Sequence, residues 1–308
     1  AEFFGTEDCV LVRGAGTGAL RTAFMAVFNP CDALVVHDAP IYPTTMVTAV
    51  AMGLKLQRCD YNRLEAGEVP VAAGALVQHA RQQMEDTYDA GAVIGRLKSS
   101  RAGAIVIADD NYVVMRVPRM GTQLGADLSC FSMFKLLGPE GVGCIIGKGG
   151  LVRRVRADQY SGGSQVQGPE ALRALKQMVY APVSLAVQAM TVEEIVRRLN
   201  SGEVHGVRSA AVANAQSRVA IVELEAPVAP RVIEIAPTFG AASHPVGADS
   251  HHEVAPMFYR LSSTFLRGCP DLAERCVRIN PMRAGAETVL EMLRLSVDEA
   301  CGWRPPGC

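Results

Sequence analysis

Through its first two-thirds the 308-residue chain alternates short β-rich apolar runs with segments of helical apolar spacing, and this alternation restricts the fold more than any other feature. Such an order places strands side by side in a mostly parallel sheet with helices on its faces. Seven runs read as strands: Cys9–Val12, Ala33–His37, Lys55–Cys59, Ala75–Gln78, Ala104–Ala108, Asp127–Phe131 and Val142–Ile146. Helical spacing covers Ala19–Phe28, Tyr42–Met52, the segment after Gly147-Lys148-Gly149-Gly150, and Pro169 to about Asn200. Beyond Ser201-Gly202 strand-like runs crowd together at Val219–Leu224, Arg231–Ile235, Met257–Ser262 and Cys276–Ile279, followed by one amphipathic helix over Ala286–Ala300. The expected class is therefore α/β, a mostly parallel seven-stranded sheet flanked by helices. A large domain is expected over 1–200 and a smaller α+β domain over 201–308, since single cores stop growing near ~250 residues.

Composition enters where it excludes functions. A formal net charge of −1 gives no basic surface for nucleic acid. A 49% hydrophobic content rules out a disordered chain, and no run in the sequence approaches the ~20 apolar residues of a membrane span. The nine cysteines are odd in number and lack any C-x-x-C pair, so they read as reduced thiols of a cytoplasmic protein rather than as disulfides or a metal site. Lysine is scarce, five against 25 arginines, which gives weight to a lysine beside a chemistry-bearing motif.

Such a lysine exists. The segment Val10-Leu-Val-Arg13-Gly14-Ala15-Gly16-Thr17-Gly18-Ala19 is a strand, a glycine turn and a helix start. There N–H groups and the helix dipole can hold a phosphate. Its Gly14-x-Gly16-x-x-Ala19 spacing also satisfies a dinucleotide fingerprint, with Asp38 as a ribose partner. Further on, Ile105–Asp110 is a strand ending in two acids, and Ser132-x-x-Lys135-Leu-Leu-Gly138-Pro139 puts a lysine after an apolar strand. A lysine, a strand-end acid and a phosphate turn are what pyridoxal phosphate requires, whereas a nicotinamide cofactor needs no lysine–acid pair.

The run Asp110-Asn111, then Gly125-Ala126-Asp127, then Ser132-x-x-Lys135 resembles fold-type-I pyridoxal-phosphate enzymes of the Cys/Met-metabolism class. Lys135-Leu-Leu-Gly138-Pro139 is also similar to bacterial selenocysteine synthase. Nearly the whole chain resembles the YhfS-type family, through Gly14–Ala19, His37–Thr45, Gln78–Gln83, Asp109–Tyr112, Ser161–Gly168 and Arg278–Pro281. The resemblance implies a fold-type-I transferase and pyridoxal 5'-phosphate as cofactor. It further implies a small-molecule amino acid as substrate, bound as an external aldimine, and a homodimer. It assigns no reaction.

Carried onto this sequence, the resemblance implies that Lys135 forms the Schiff base and then moves the Cα proton. Asp110 would face the pyridine nitrogen, with Asp109 as the fallback. Gly16, Thr17, Gly18 and Ser132 would hold the phosphate, although Phe134 stands where the class often has a hydroxyl residue. Tyr42 would cover the cofactor ring and act as the acid in an elimination, and Gln82 would lie near the 3-hydroxyl. Arg278 would grip the substrate carboxylate, with Arg260 as substitute.

For each residue a plain structural role is the competing reading: a strand-end cap for Asp110, a packing tyrosine for Tyr42, a surface arginine for Arg278. His37 and His79 end strands and read equally as core residues. His244, His251 and His252 fall in an irregular stretch, and Arg153, Arg154 and Arg156 read as a solvated helix face. The glycine turn begins at residue 14 with little before it, so the N-terminal arm of the class is expected to be missing. Aminotransfer asks for the fewest special residues and is the first expectation. Elimination or replacement at Cβ or Cγ is the second. A non-catalytic cofactor-binding relative and a nicotinamide-dependent oxidoreductase are the remaining alternatives.

Overall fold

Central strands buried at nearly every position, flanked by the partly exposed edge strands at Asp8–Arg13 and Lys55–Cys59, are how the sheet is built. The computed structural model describes residues 1–65, 69–81, 83, 85–100, 103–213, 219–242 and 254–303. Two compact units are present, Ala1–Ala181 and Pro182–Cys308. The division falls within a long helix, beside its internal Pro182, whereas the sequence places it at that helix's end.

In the first unit the elements run β1 (Asp8–Arg13), α1 (Ala15–Val27), β2 (Ala33–His37), α2 (Pro43–Ala51), β3 (Lys55–Cys59), β4 (Gly74–Gln78), α3 (Ala90–Ser100), β5 (Ile105–Asp109), β6 (Leu128–Ser132), β7 (Val142–Gly147) and α4 (Gly149–Asp158). Helix α5 (Gly168–Asn200) follows and runs into the second unit. Among the described residues seven strands form one sheet in the order β1-β7-β6-β5-β4-β2-β3. Of these, β7 alone runs antiparallel to its neighbours.

Alternate residues of β2, β4 and β5 feed two different cores. Leu34, Val36, Leu76, Ile107, Leu128, Cys130 and Ile145 pack with Leu20, Ala23 and Phe24 of α1. Val35, Ala75, Val77, Val106 and Ala108 pack with Val93, Ile94 and Leu97 of α3. The period of two along each strand thus decides which helix a side chain meets.

The second unit carries β8 (Val207–Val212), β9 (Ala220–Leu224), α6 (Ala229–Ile235), β10 (Met257–Tyr259), α7 (Ser263–Gly268), α8 (Leu272–Arg275), β11 (Cys276–Asn280) and α9 (Ala286–Cys301). Its four strands pair antiparallel in the order β10-β11-β9-β8. The expected strand at Arg231–Ile235 is instead helix α6. Pro230 stands in its first turn, where a missing N–H costs nothing, and Ala229, Val232 and Ile235 share its buried side at helical spacing. Strand β8 is an element the sequence expectation lacks.

Helix α5 has no charged residue between Lys176 and Glu193, and by length and composition alone it is apolar enough to cross a membrane. Gln188 in this stretch donates to Asn280 Oδ1 on β11 at 2.7 Å, a bond of the folded second unit.

Candidate active site

Strands β4, β5 and β6 end side by side, and their last α1-side residues open into a cleft. Gln78 is in register with Asp109, and Asp109 with Cys130. Because Leu76, Ile107 and Cys130 belong to the α1-side core, the residues two positions on come up on the same face, and Gln78, Asp109 and Ser132 all line the cleft. The cleft, open to solvent, spans about 560 Å³ and is lined by Gly16, Thr17, Tyr42, Asn111, Tyr112 and Lys135 among others. This is the carboxyl end of a parallel sheet, where open α/β folds bind ligands.

At one end of the cleft lies the start of α1. Gly14 caps it in the left-handed region at φ 89°. The N–H groups of Gly14 and Ala15 donate to Gly141 O at 2.8 and 3.2 Å, so the Gly138–Gly141 segment following the lysine folds back onto the glycine turn. Gly18 N–H donates to Gly14 O at 2.7 Å. The first turn of a helix has no internal acceptors, which leaves the N–H groups of Gly16 and Thr17 for a ligand. Thr17 Oγ1 lies 3.1 Å from Thr44 Oγ1.

Ser132 adds a buried hydroxyl with no hydrogen-bond partner among the described residues. Gly18, expected beside the phosphate, has its N–H occupied and is not in the cleft wall. It is glycine for packing, since a Cβ there would stand 1.9 Å from Arg13 O.

Lys135 lies in the short turn Met133–Leu136 that follows β6, and Ser132 caps that turn in extended geometry. Its side chain is buried, with Nζ 4.2 Å from the centre of the Tyr112 ring and 4.5 Å from that of Phe134. Tyr42 stands at the start of α2 and shares a hydrogen bond with Tyr112. Its phenol is held above the ordinary tyrosine value, first by the neighbouring Tyr112 phenol and then by burial, against the pull of Lys135. Tyr42 thus faces the lysine as a neutral phenol. Phe134 fills the position expected for another hydroxyl and lines the cleft with an apolar ring.

The two acids at the end of β5 part company. Asp110, expected to face a ring nitrogen, is fully buried away from the cleft. Its Oδ1 pairs with His79 Nδ1 at 2.7 Å and its Oδ2 accepts Gly121 N–H at 2.9 Å. The pleat sends it to the face opposite α1. Asp109, the fallback, lines the cleft. Burial pushes its carboxyl up to about 6, offset in part by the backbone and side-chain donors of Asn111.

Gln82 lies outside the described residues, as do His244, His251 and His252. His37 is a satisfied core residue: its Nε2 pairs with Asp86 Oδ1 at 2.9 Å, and its Nδ1 accepts Tyr61 N–H at 3.0 Å. Arg278 belongs to the second unit, on β11 opposite Tyr259, with its guanidinium 4.1 Å above that ring. Arg260 is exposed. Asn111, Tyr112, Gln78 and Thr44 line the cleft, although in the sequence they figure only inside motifs, with no role of their own assigned. Their signal was adjacency, each lying next to or within two residues of a predicted site residue or at a strand end.

The unpartnered N–H groups of a helix start and an unsatisfied hydroxyl are the donors a phosphate takes, and a buried lysine and a buried carboxylate share the cleft with them. The residues present fit pyridoxal phosphate. Over 301 residues the chain is 48% identical to protein YhfS of Escherichia coli K12, covering 96% of this chain and 83% of that protein. The chain belongs to the YhfS family. Residues 88–209 of this YhfS-family protein match the aminotransferase class-V family, and residues 193–293 match the YhfS-like C-terminal domain.

The crystal structure of Escherichia coli YhfS, described as pyridoxal-5'-phosphate dependent, superposes with a TM-score of 0.89 at 46% identity, covering 96% of this chain and 82% of that one. A cystathionine γ-lyase of Micromonospora echinospora shares the fold at a TM-score of 0.75 and 16% identity, covering 96% and 84%. The yeast cystathionine γ-lyase does so at 0.76 and 13%, covering 98% and 84%. The chain is a fold-type-I pyridoxal-phosphate-dependent enzyme, and its cofactor is pyridoxal 5'-phosphate.

Proposed function

We propose that this YhfS-family enzyme acts on an amino acid, with aminotransfer as the reaction its cleft is best equipped for. The convergence of Lys135, Asp109 and the α1 turn on one cleft supports the cofactor chemistry, and aminotransfer is put first because it asks for no acid beyond these groups. When bound, pyridoxal phosphate supplies an aldehyde for an amine to condense with and a ring that accepts the electrons of the broken Cα–H bond. The protein's part is orientation, charge and proton movement. The N–H groups of Gly16 and Thr17 and the hydroxyl of Ser132 would fix the phosphate end. Asp109 would set a negative charge opposite the ring nitrogen. Lys135 Nζ would accept the Cα proton and return it elsewhere, and the apolar rings of Tyr112 and Phe134 around it would keep water from that transfer. Arg278 remains the proposed partner of the substrate carboxylate.

A specific observation favours a second reading. Elimination at Cβ or Cγ needs an acid for the leaving group, and the neutral phenol of Tyr42 stands next to Lys135. Incubation with alanine, cystathionine and O-acetylhomoserine, with and without an added keto-acid acceptor, separates the two. Keto acid formed only with an acceptor supports aminotransfer. Ammonia or thiol released without one supports elimination.

A further inference from the structure

One residue touches both ends of the cleft. Asn111 follows Asp109 by two positions, and its backbone N–H and side-chain Nδ2 donate to the same oxygen, Asp109 Oδ1, at 3.1 and 2.7 Å. Asp109 Oδ2 has no hydrogen bond to the protein among the described residues, and Asp109 lines the cleft. Because only an N–H can donate to a carboxylate, the amide's orientation is fixed, with its carbonyl turned the other way. That carbonyl lies against Gly16 so closely that a Cβ at Gly16 would meet Asn111 Oδ1 at 1.8 Å. The glycine of the phosphate turn is therefore shaped to this side chain.

We propose that Asn111 is a positioning residue that holds one carboxylate oxygen of Asp109 still, leaves the other free to face the ring, and fixes the spacing between that carboxylate and the phosphate-binding turn of α1. This deepens the cofactor reading above and rests on it. The groups facing Asp109 come from several elements. Asp110 raises its affinity for protons and His79 lowers it, Lys135 and Tyr42 share its cleft, and Cys130 and Tyr88 lie near enough to feel its charge. Asn111 supplies two charge-stabilising donors, and removing them favours the protonated acid.

The test begins without cofactor. Carboxyl-carbon NMR of the apoprotein follows Asp109, assigned by the signal missing in Asp109→Asn. Asn111→Leu keeps the size, removes the amide donor and adds no charge, and the Asp109 midpoint should rise from about 6 by about one pH unit or more, a roughly tenfold change in acid dissociation. Asn111→Ser, which keeps the backbone donor and a shorter side chain, should give a smaller rise and stands in if Asn111→Leu does not fold. A midpoint equal to wild type in the folded variants overturns the proposal, even if their melting temperatures fall.

Cofactor binding then tests the spacing. Gly16→Ala should weaken pyridoxal phosphate binding about tenfold or more in wild type and clearly less in an Asn111→Ala background, where the clash is gone. Equal losses in both backgrounds overturn the spacing role. Borohydride fixation of the cofactor on wild-type Lys135 keeps the two readings apart. Failure there sinks the cofactor reading, whereas fixation with an unchanged Asp109 midpoint in the Asn111 variants sinks only this one.

Discussion

Asp109 and Asp127 are buried carboxylates at opposite ends of the same sheet, and their surroundings differ in kind. Asp127 precedes β6 at the end away from the cleft. It accepts Val106 N–H at 2.7 Å and pairs with Lys98 at 2.8 Å and Lys148 at 2.6 Å. Although burial opposes it, those partners hold its carboxyl below the ordinary value. Among the described residues Asp109 has donors only from Asn111, and burial pushes it up to about 6. A residue that only holds the fold has its charge fully compensated. One left short of partners beside a lysine and an unsatisfied serine is set up for a ligand.

The largest expected effect lies at the cleft's lysine. Lys135→Ala should lower turnover by about 10³-fold or more, since no other lysine lines the cleft, with the fold retained by circular dichroism. Lys98→Ala, beside Asp127, should leave the rate within about twofold and cost stability instead. Comparable loss of rate in both variants would erase the contrast between the two ends.

Next come the acids themselves. Asp109→Asn should cost turnover roughly 10²-fold, while Asp127→Asn should cost about 2 kcal/mol of stability by denaturant titration and little activity. Their pH dependences should have opposite signs. Asp109, raised in the fold, binds a proton more tightly there than in the unfolded chain. In the cofactor-free protein its unfavourable contribution is therefore absent below about pH 4, grows through pH 4–6 and is of order 3 kcal/mol above that. Asp127, lowered in the fold, contributes stability above its unfolded value near 3.8 and loses it as pH falls further. Asp109→Asn should flatten the first dependence, and a slope unchanged in that variant would count against the buried, under-compensated carboxylate.

The smallest expected effect sharpens the same comparison at a neutral group. Ser132→Ala removes an unsatisfied buried hydroxyl, so the apoprotein should gain about 1 kcal/mol while cofactor affinity falls about tenfold. A loss of apoprotein stability would mean that the hydroxyl already has a partner.

The sequence carried the seven strands of the large sheet, the glycine turn and Lys135, because alternation, glycine spacing and a rare lysine are local signals. Which of Asp109 and Asp110 faces the cleft was not readable there. Ile105-Val106-Ile107-Ala108 is apolar on both faces, so nothing in the string says which parity belongs to α1. The register with Gln78 and Cys130 decides it. Asn111, part of the Asp110-Asn111 motif, was given no role of its own for a related reason, since its work depends on Gly16, brought beside it only by the fold. Helix α6 was misread as a strand because Val232-Ile233-Glu234-Ile235 suits either period, and Pro230 decides for the helix.

The most direct test is reduction of the cofactor-loaded protein with borohydride, followed by digestion and mass analysis of every lysine-containing peptide. The account predicts a pyridoxyl phosphate adduct on the peptide holding Lys135 and none on those holding Lys55, Lys98, Lys148 or Lys176. An adduct on any of those four, or a loaded protein with no reducible adduct, would contradict it.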